Sequence, residues 1–184
     1  MAVKLNPLET VNKKVNIVLL KSYLIGVTTY LLENNVPPAQ VNELLKKFGR
    51  EAGRYLLILE KSDETIIPKN IIKSSFLDQK TYIRTTLNLI TNYLFGKSFD
   101  NISDTLEKEN NHLEFRMVLL DNPLCKDLIS PLPEVKFSSI LAGIIEEIIR
   151  DKIGSKNVFC DETRCISTGD SLCEFVLKIK LDKI

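Results

Sequence analysis

Cysteines near the end of the chain form the residue pattern with the clearest chemical potential. Cys160, Cys165 and Cys173 follow one another closely, and Cys125 lies earlier in the sequence. Two cysteines at the facing ends of a β-hairpin can bring their thiolates close enough together for a tetrahedral zinc site. The spacing lacks the CxxC pairs of zinc ribbons, and free cysteine is also a common small buried residue. Spacing alone therefore leaves a metal site and an inert core equally open, with a redox role as the third alternative.

The redox state expected for these thiols follows from the N-terminal residues. The segment Met1 to Asn16 has no short apolar stretch followed by a small-residue cleavage site, as a secretory signal would. We therefore expect a cytoplasmic protein with reduced thiols. In that setting cysteines serve metal binding or burial rather than a disulfide framework.

A carboxylate and a turn accompany two of these cysteines. Glu162 precedes Cys165, Gly169-Asp170 follows, and Cys173 comes shortly before Phe175. This arrangement resembles the C-terminal signature of the 4-vinyl reductase domain family. In the metal-binding members of that family, the Glu and both Cys bind the metal together with a Cys from further upstream. The resemblance thus implies that Glu162, Cys165 and Cys173 are metal ligands.

The fourth ligand is not supplied by the family pattern. The upstream cysteine of the family lies near the start of the helix before this hairpin, where residues 134–138 of this chain contain no cysteine. Cys125 and Cys160 are the two candidates to replace it. Thiolates favour zinc over magnesium or calcium, so zinc is the expected ion.

Two further stretches extend the likeness to the related small subunits of the TRAPP vesicle-tethering complex. They are the pair Gly49 and Gly53, four residues apart, and Asp121-Asn122-Pro123-Leu124 after a predicted strand. The resemblance implies a dimeric module that binds a hydrophobic or aromatic small molecule, as sensor domains do. The glycine pair itself predicts close helix packing, because a phosphate-binding loop would follow a strand.

Four main helices are expected to position these residues. The first runs from about Val15 to Glu33, after a loose arm at residues 1–14. Pro37 and Pro38 separate it from the second, because proline is tolerated only in the first turn of a helix. The second extends to about Lys61 with apolar residues at helical spacing.

The third and fourth helices lie further along the chain. The third includes the apolar residues between Tyr82 and Leu94, with Ser75 or Asp78 as its cap. The fourth runs from Phe137 to Ile153 and ends at Gly154.

Two β-hairpins complete the predicted fold, with turns at residues 108–112 and 168–170. Their strands are predicted at residues 99–107, 113–120, 158–167 and 172–181. No linker divides residues 15–184. We therefore predict one α+β domain, in which an antiparallel sheet of about four strands packs with four main helices.

Residues that commonly act as catalytic bases are scarce. His112 is the single histidine and falls in a predicted polar turn, so a Ser-His or Cys-His nucleophile has no other base to use. Glu146 and Glu147 are adjacent on a helix and are predicted to form a solvated face. A vinyl-group reductase, the activity that names the family, would need a nicotinamide or flavin site, and none is recognisable. A binding module is expected rather than an enzyme.

The net charge and the hydropathy of the sequence limit the kinds of partner that this protein is expected to bind. The net charge is +1, so the basic excess typical of nucleic-acid-binding domains is missing. The segment from Val15 to Leu32 is only just long enough to span a membrane and contains Lys21, which favours a buried helix instead. Because this helix is apolar on more faces than one core can cover, we predict a homodimer.

The surplus of aliphatic residues predicts an apolar cavity for a hydrophobic small molecule. Its expected walls are the helix around Gly49 and Gly53, the third helix and the inner face of the sheet. Tyr55 and Tyr82 are the predicted polar contacts, since a phenol can line an apolar wall and still offer one hydrogen bond. The alternative is a densely packed interior, which would favour a structural subunit that assembles through its apolar surfaces.

Overall fold

The computed structural model describes residues 7–62, 79–107, 112–130, 132 and 134–180. Within these ranges the main helices are α1 (Pro7–Glu33), α2 (Pro38–Ser62), α3 (Gln79–Phe95) and α4 (Ser139–Ile153). The strands are β1 (Asn101–Glu107), β2 (His112–Leu119), β3 (Val158–Arg164) and β4 (Cys173–Lys180).

The four strands form one antiparallel sheet in the order β1-β2-β4-β3. Each predicted hairpin is present, and the sheet joins them by pairing β2 with β4. Because side chains alternate between the two faces of a strand, Phe115 of β2 and its partner Leu177 of β4 share the inner face, where both are fully buried. The predicted α+β class with a four-stranded antiparallel sheet is confirmed.

Some element boundaries differ from those predicted. Helix α1 begins at Pro7 rather than Val15, within the segment predicted as a loose arm, because proline is well tolerated at the first helical position. His112 is the first residue of β2 and pairs with Glu107, so it is not a turn residue. The predicted caps Ser75 and Asp78 lie outside the described residues, as do residues 108–111 of the first predicted turn. Within the described ranges, no helix is long and apolar enough to cross a membrane.

Helix α4 lies between the sheet and α2, and glycines allow the two helices to touch backbone to backbone. A Cβ atom added to Gly49 would lie 2.0 Å from the Ile140 carbonyl oxygen, and one added to Gly143 would lie 2.0 Å from the Lys46 carbonyl oxygen. A Cβ on Gly53 would lie 3.1 Å from Glu147 Cβ. The glycine pair therefore serves close helix packing, and α4 fills the space beside Gly49 and Gly53 where the cavity was expected.

We expect Gly49→Ala to destabilise the protein by about 2 kcal/mol, since a methyl group there cannot be accommodated without separating α2 from α4. Gly26→Ala on α1 is the matched control, because a Cβ at Gly26 meets nothing within 4 Å. There alanine should be neutral or stabilise by up to about 1 kcal/mol through its higher helix propensity. Urea unfolding of both variants measures the difference, and equal effects would contradict this account of the interface.

The prediction that Glu146 and Glu147 form a solvated face is wrong for Glu146, which is only 2% exposed. The side of α4 that is polar in sequence is covered by α2. Glu146 accepts hydrogen bonds from Arg50 and Arg150 and forms an ion pair with Lys46 at 3.2 Å. It also accepts the backbone N–H of Cys160 at 3.0 Å. One buried carboxylate thus joins α2, α4 and β3.

Candidate metal centre

Four buried side chains converge where the first and second hairpins meet the start of α4. Cys125, Glu162, Cys165 and Cys173 each offer one donor atom, and these four atoms all lie within 4.8 Å of one another. The sulfur atoms of Cys125 and Cys165 are 3.4 Å apart. We call these four residues the CECC group.

The turn after β2 places Cys125 in the group. Asn122, which is fully buried, accepts the backbone N–H of Leu124 through its side-chain oxygen. Its carbonyl oxygen accepts the N–H groups of Cys125 and Lys126. Leu124 is buried in the core and anchors the turn. The Asp121-Asn122-Pro123-Leu124 stretch therefore builds the tight turn that brings Cys125 inward.

A β-bulge in β3 lets Glu162 and Cys165 face the same side. Strand alternation alone would place residues 162 and 164 on one face. The pairing of β3 with β4 shifts register between Glu162 and Arg164, and the extra residue of a bulge resets the alternation. Cys165 follows in extended conformation, and its thiol is fully buried beside the Glu162 carboxyl group.

The Gly169-Asp170 turn holds the backbone of Cys165. A 3₁₀ turn at Ile166–Thr168 ends at Gly169, whose φ of 98° suits glycine. Asp170 accepts the backbone N–H of Cys165 at 2.9 Å and donates its own N–H to the Cys165 carbonyl oxygen. These contacts explain why a Gly-Asp pair stands between the two cysteines. They close the hairpin so that Cys173, the first residue of β4, lies opposite Cys165.

Ser138, immediately before α4, touches every member of the CECC group and was not singled out by sequence reasoning. Its hydroxyl donates a hydrogen bond to Glu162 Oε1. The same oxygen lies 3.3 Å from Cys125 Sγ, 3.7 Å from Cys165 Sγ and 3.6 Å from Cys173 Sγ. A signal was present, because residues 134–138 are the segment where the resembling family carries its upstream cysteine.

The four donor groups shift one another's pKa values, because they are close together and buried away from water. The hydrogen bonds from Cys125 and Cys173 hold the pKa of Cys165 well below its ordinary value. The hydrogen bond to Cys165 raises the pKa of Cys125. For Cys173 the hydrogen bond from Cys125 lowers the pKa, but the bond to Cys165 and burial outweigh it and raise it to about 12. Burial likewise raises the pKa of Glu162.

This donor set fits a thiolate-binding divalent metal. Without a cation, ionisation of all three thiols is disfavoured, because thiolates at such close range would repel one another. A bound divalent ion supplies the opposite charge that allows the three thiols to ionise. Three sulfurs and one carboxylate oxygen are ligand types that zinc accepts in tetrahedral sites.

The other predicted site residues lie elsewhere. Cys160 is fully buried on the inner face of β3 but outside the CECC group, since two residues along a strand separate it from Glu162 by roughly 6.6 Å. Tyr55 is 61% exposed on α2. Tyr82 of α3 is partly buried and packs against the core, and its hydroxyl oxygen is buried.

No protein-family model and no curated protein matches the sequence. Solved structures do resemble the fold. Trafficking protein particle complex subunit 3 from Naegleria fowleri, covalently bound to palmitic acid, aligns with a TM-score of 0.71 at 21% identity, covering 91% of this chain and 97% of that one. The phenol-responsive sensory domain of the transcription activator PoxR, solved with phenol, aligns with a TM-score of 0.55 at 12% identity, covering 86% of this chain and 74% of that one. At these identities the likeness shows a shared fold.

Proposed function

We propose that the CECC group binds one zinc ion that stabilises the second hairpin, in a module that holds a hydrophobic small molecule. The convergence of three thiols and a carboxylate within 4.8 Å carries the metal assignment. All four donors are protein side chains, so a tetrahedral ion would have no open position for water, as in structural zinc sites. The metal is therefore assigned to stability, not to catalysis.

Two observations support the proposal that the protein binds a hydrophobic small molecule. The TRAPP subunit and the sensory domain with this fold were solved with palmitic acid and with phenol. In this chain, Thr28 of α1 is fully buried, and its hydroxyl has no hydrogen-bond partner among the described residues. An unsatisfied buried hydroxyl destabilises a fold by about 1–3 kcal/mol, unless a bound molecule provides the missing partner. A largely apolar ligand with one polar group would supply that partner.

The ligand assignment is tested by calorimetric titration of the purified protein with phenol and with palmitic acid, alongside native mass spectrometry for retained molecules. We expect saturable binding of at least one compound, and Thr28→Val should weaken it roughly fivefold, the equivalent of one hydrogen bond of about 1 kcal/mol. Thr91→Val is the control, because the buried Thr91 hydroxyl already donates to the Leu87 carbonyl oxygen. Absence of binding by both compounds, with no retained molecule, would refute the assignment.

A second candidate function is assembly through α1, and the exposed face of this helix supports it. Leu19, Tyr23 and Tyr30 recur at helical spacing and are 63%, 60% and 65% exposed within the described part of the chain. Leu24, in contrast, is 1% exposed and faces the core. An apolar row of this kind suits a homodimer contact between two α1 helices.

We expect the wild-type protein to elute as a dimer, at twice its chain mass of 20.9 kDa. Tyr23→Glu should produce monomers, because it places a charge at the centre of the proposed contact. Tyr55→Glu makes the same substitution at a similarly exposed tyrosine of α2, 61% exposed and outside the α1 row, and should leave the dimer intact. Light scattering coupled to gel filtration measures both variants. A monomeric wild-type protein would exclude this candidate.

A further inference from the structure

A polar pocket with a volume of about 240 Å³ opens beside the CECC group. Residues from α2, from the start of α4 and from β3 line it, and Glu162 is the one member of the group among them. The three cysteines are 0% exposed, whereas Glu162 retains 8% exposure. Glu162 is therefore the donor that connects the buried thiols with the pocket.

Hydroxyl groups hold both oxygens of the Glu162 carboxylate. Ser138 donates to Oε1, and Ser139, which also lines the pocket, donates to Oε2 at 3.3 Å. Lys136 binds the Glu162 backbone carbonyl at 2.9 Å and so steadies this part of β3. The carboxylate is thus held by neutral donors between the pocket and the thiols. A metal ion that binds this carboxylate displaces only hydrogen bonds from neutral serine hydroxyls. No charged donor is left without a partner.

The pocket itself has the size to admit a hydrated cation, and three carboxylates line it against two lysines, Lys46 and Lys136. At about 30 Å³ for each water, its volume equals that of roughly eight water molecules, enough for an ion with a full hydration shell. The small side chains of Ala39 and Ala142 leave this space open, and Glu43 and Asp161 add carboxylates to its wall. Asp161 is paired with Lys46 at 2.6 Å. Carboxylate oxygens are ligands that divalent metals accept.

We propose that this pocket is the entrance through which a hydrated divalent metal ion reaches the CECC group, and that Glu162 is the first ligand the ion meets. The inference rests on the proposed zinc centre and adds its route of loading. Glu43 and Asp161 attract the ion, Glu162 binds it, and the three buried thiols then replace its remaining waters.

Blocking the pocket tests the route in the folded, zinc-loaded protein. Ala39→Phe places a ring in the pocket, whereas Gln40→Phe places the same ring on an exposed neighbouring residue that does not line it. Exchange of bound zinc for an added zinc isotope is followed by native mass spectrometry. Ala39→Phe should slow exchange by about tenfold or more, because the ion must then wait for local opening of the fold. Gln40→Phe should exchange at the wild-type rate.

A charge reversal gives an independent measurement. Glu43→Lys should slow exchange roughly tenfold by repelling the approaching cation, and more so at low salt. Glu51→Lys, the same change further along α2 and outside the pocket, is the control. Zinc content and melting temperature should be unchanged in all four variants. A wild-type protein without zinc would refute the proposed centre and this inference together. Full zinc content with unchanged exchange in both Ala39→Phe and Glu43→Lys would overturn the entrance alone.

Discussion

Cys165→Ser is expected to lose bound zinc and to lower the melting temperature by roughly 10 °C. Its sulfur lies 3.4 Å from Cys125 Sγ within the CECC group, and 3.0 Å from the hydroxyl oxygen of Ser167 beside it. A ligand held at a thousand times its dissociation constant stabilises a fold by about 4 kcal/mol. For a chain of this size, each kcal/mol moves the melting temperature by about 2–4 °C. Calorimetry and elemental analysis of protein purified with reduced thiols measure both quantities.

Cys160→Ser separates metal loss from the general effect of a buried hydroxyl. Cys160 is as fully buried as Cys165 but lies outside the CECC group. This control should retain its zinc, although it will lose some stability. A chelator should lower the melting temperature of the wild type and of Cys160→Ser, and leave that of Cys165→Ser unchanged. Wild-type protein with negligible zinc, or equal zinc in both variants, would contradict the structural metal centre.

The side-chain periodicity of the sequence was enough to predict the helices and both hairpins. In β3, Val158, Cys160 and Glu162 alternate as the buried residues, although residue type alone does not mark this face, since Phe159 is exposed. The Gly-Asp pair marks the turn that leads to Cys173. Such patterns are local, because each element is selected by a single packing face. The α+β class follows from the order of these elements.

The choice between Cys125 and Cys160 could not be made from local pattern. Cys125 reaches Cys165 across 40 residues of sequence, through a turn whose position depends on how β2 pairs with β4. Cys160 is closer in sequence but is separated from Glu162 along the strand. The role of Ser138 depends on the same long-range contact, since its hydroxyl meets groups from three separate segments.

The burial of Glu146 was missed for a related reason. Its position on α4 is polar by sequence, and a helix at the surface would expose it. Here α2 covers that face, and Gly49 and Gly143 let the two backbones approach so closely that no water layer remains between them. Lys46 and Arg50, one turn apart on α2, then meet the carboxylate. The sequence predicts this buried ion pair only when the packing of α2 against α4 is already known.

We expect Glu146→Gln to destabilise the protein by about 3 kcal/mol, near the lower end of the range for breaking a buried ion pair. The carboxylate balances Lys46, Arg50 and Arg150, and without its charge these cations remain crowded at the α2–α4 contact. The loss is moderated because Lys46 keeps Asp161 and Arg150 keeps Glu147. Urea unfolding, with an unchanged dependence on denaturant concentration, provides the measurement.

Glu147→Gln is the matched control for this prediction, since it makes the same change at the adjacent residue. Glu147 pairs with Arg54 and Arg150 at the rim of the contact, where Arg54 is half exposed, and such solvent-screened pairs contribute little to stability. Combining Glu146→Gln with Arg50→Met should recover part of the lost stability, because Arg50 pairs with Glu146 and would otherwise be left as an unbalanced cation. If Glu146→Gln and Glu147→Gln were equally mild, or if the double variant were simply additive, Glu146 would not be the residue that joins α2, α4 and β3.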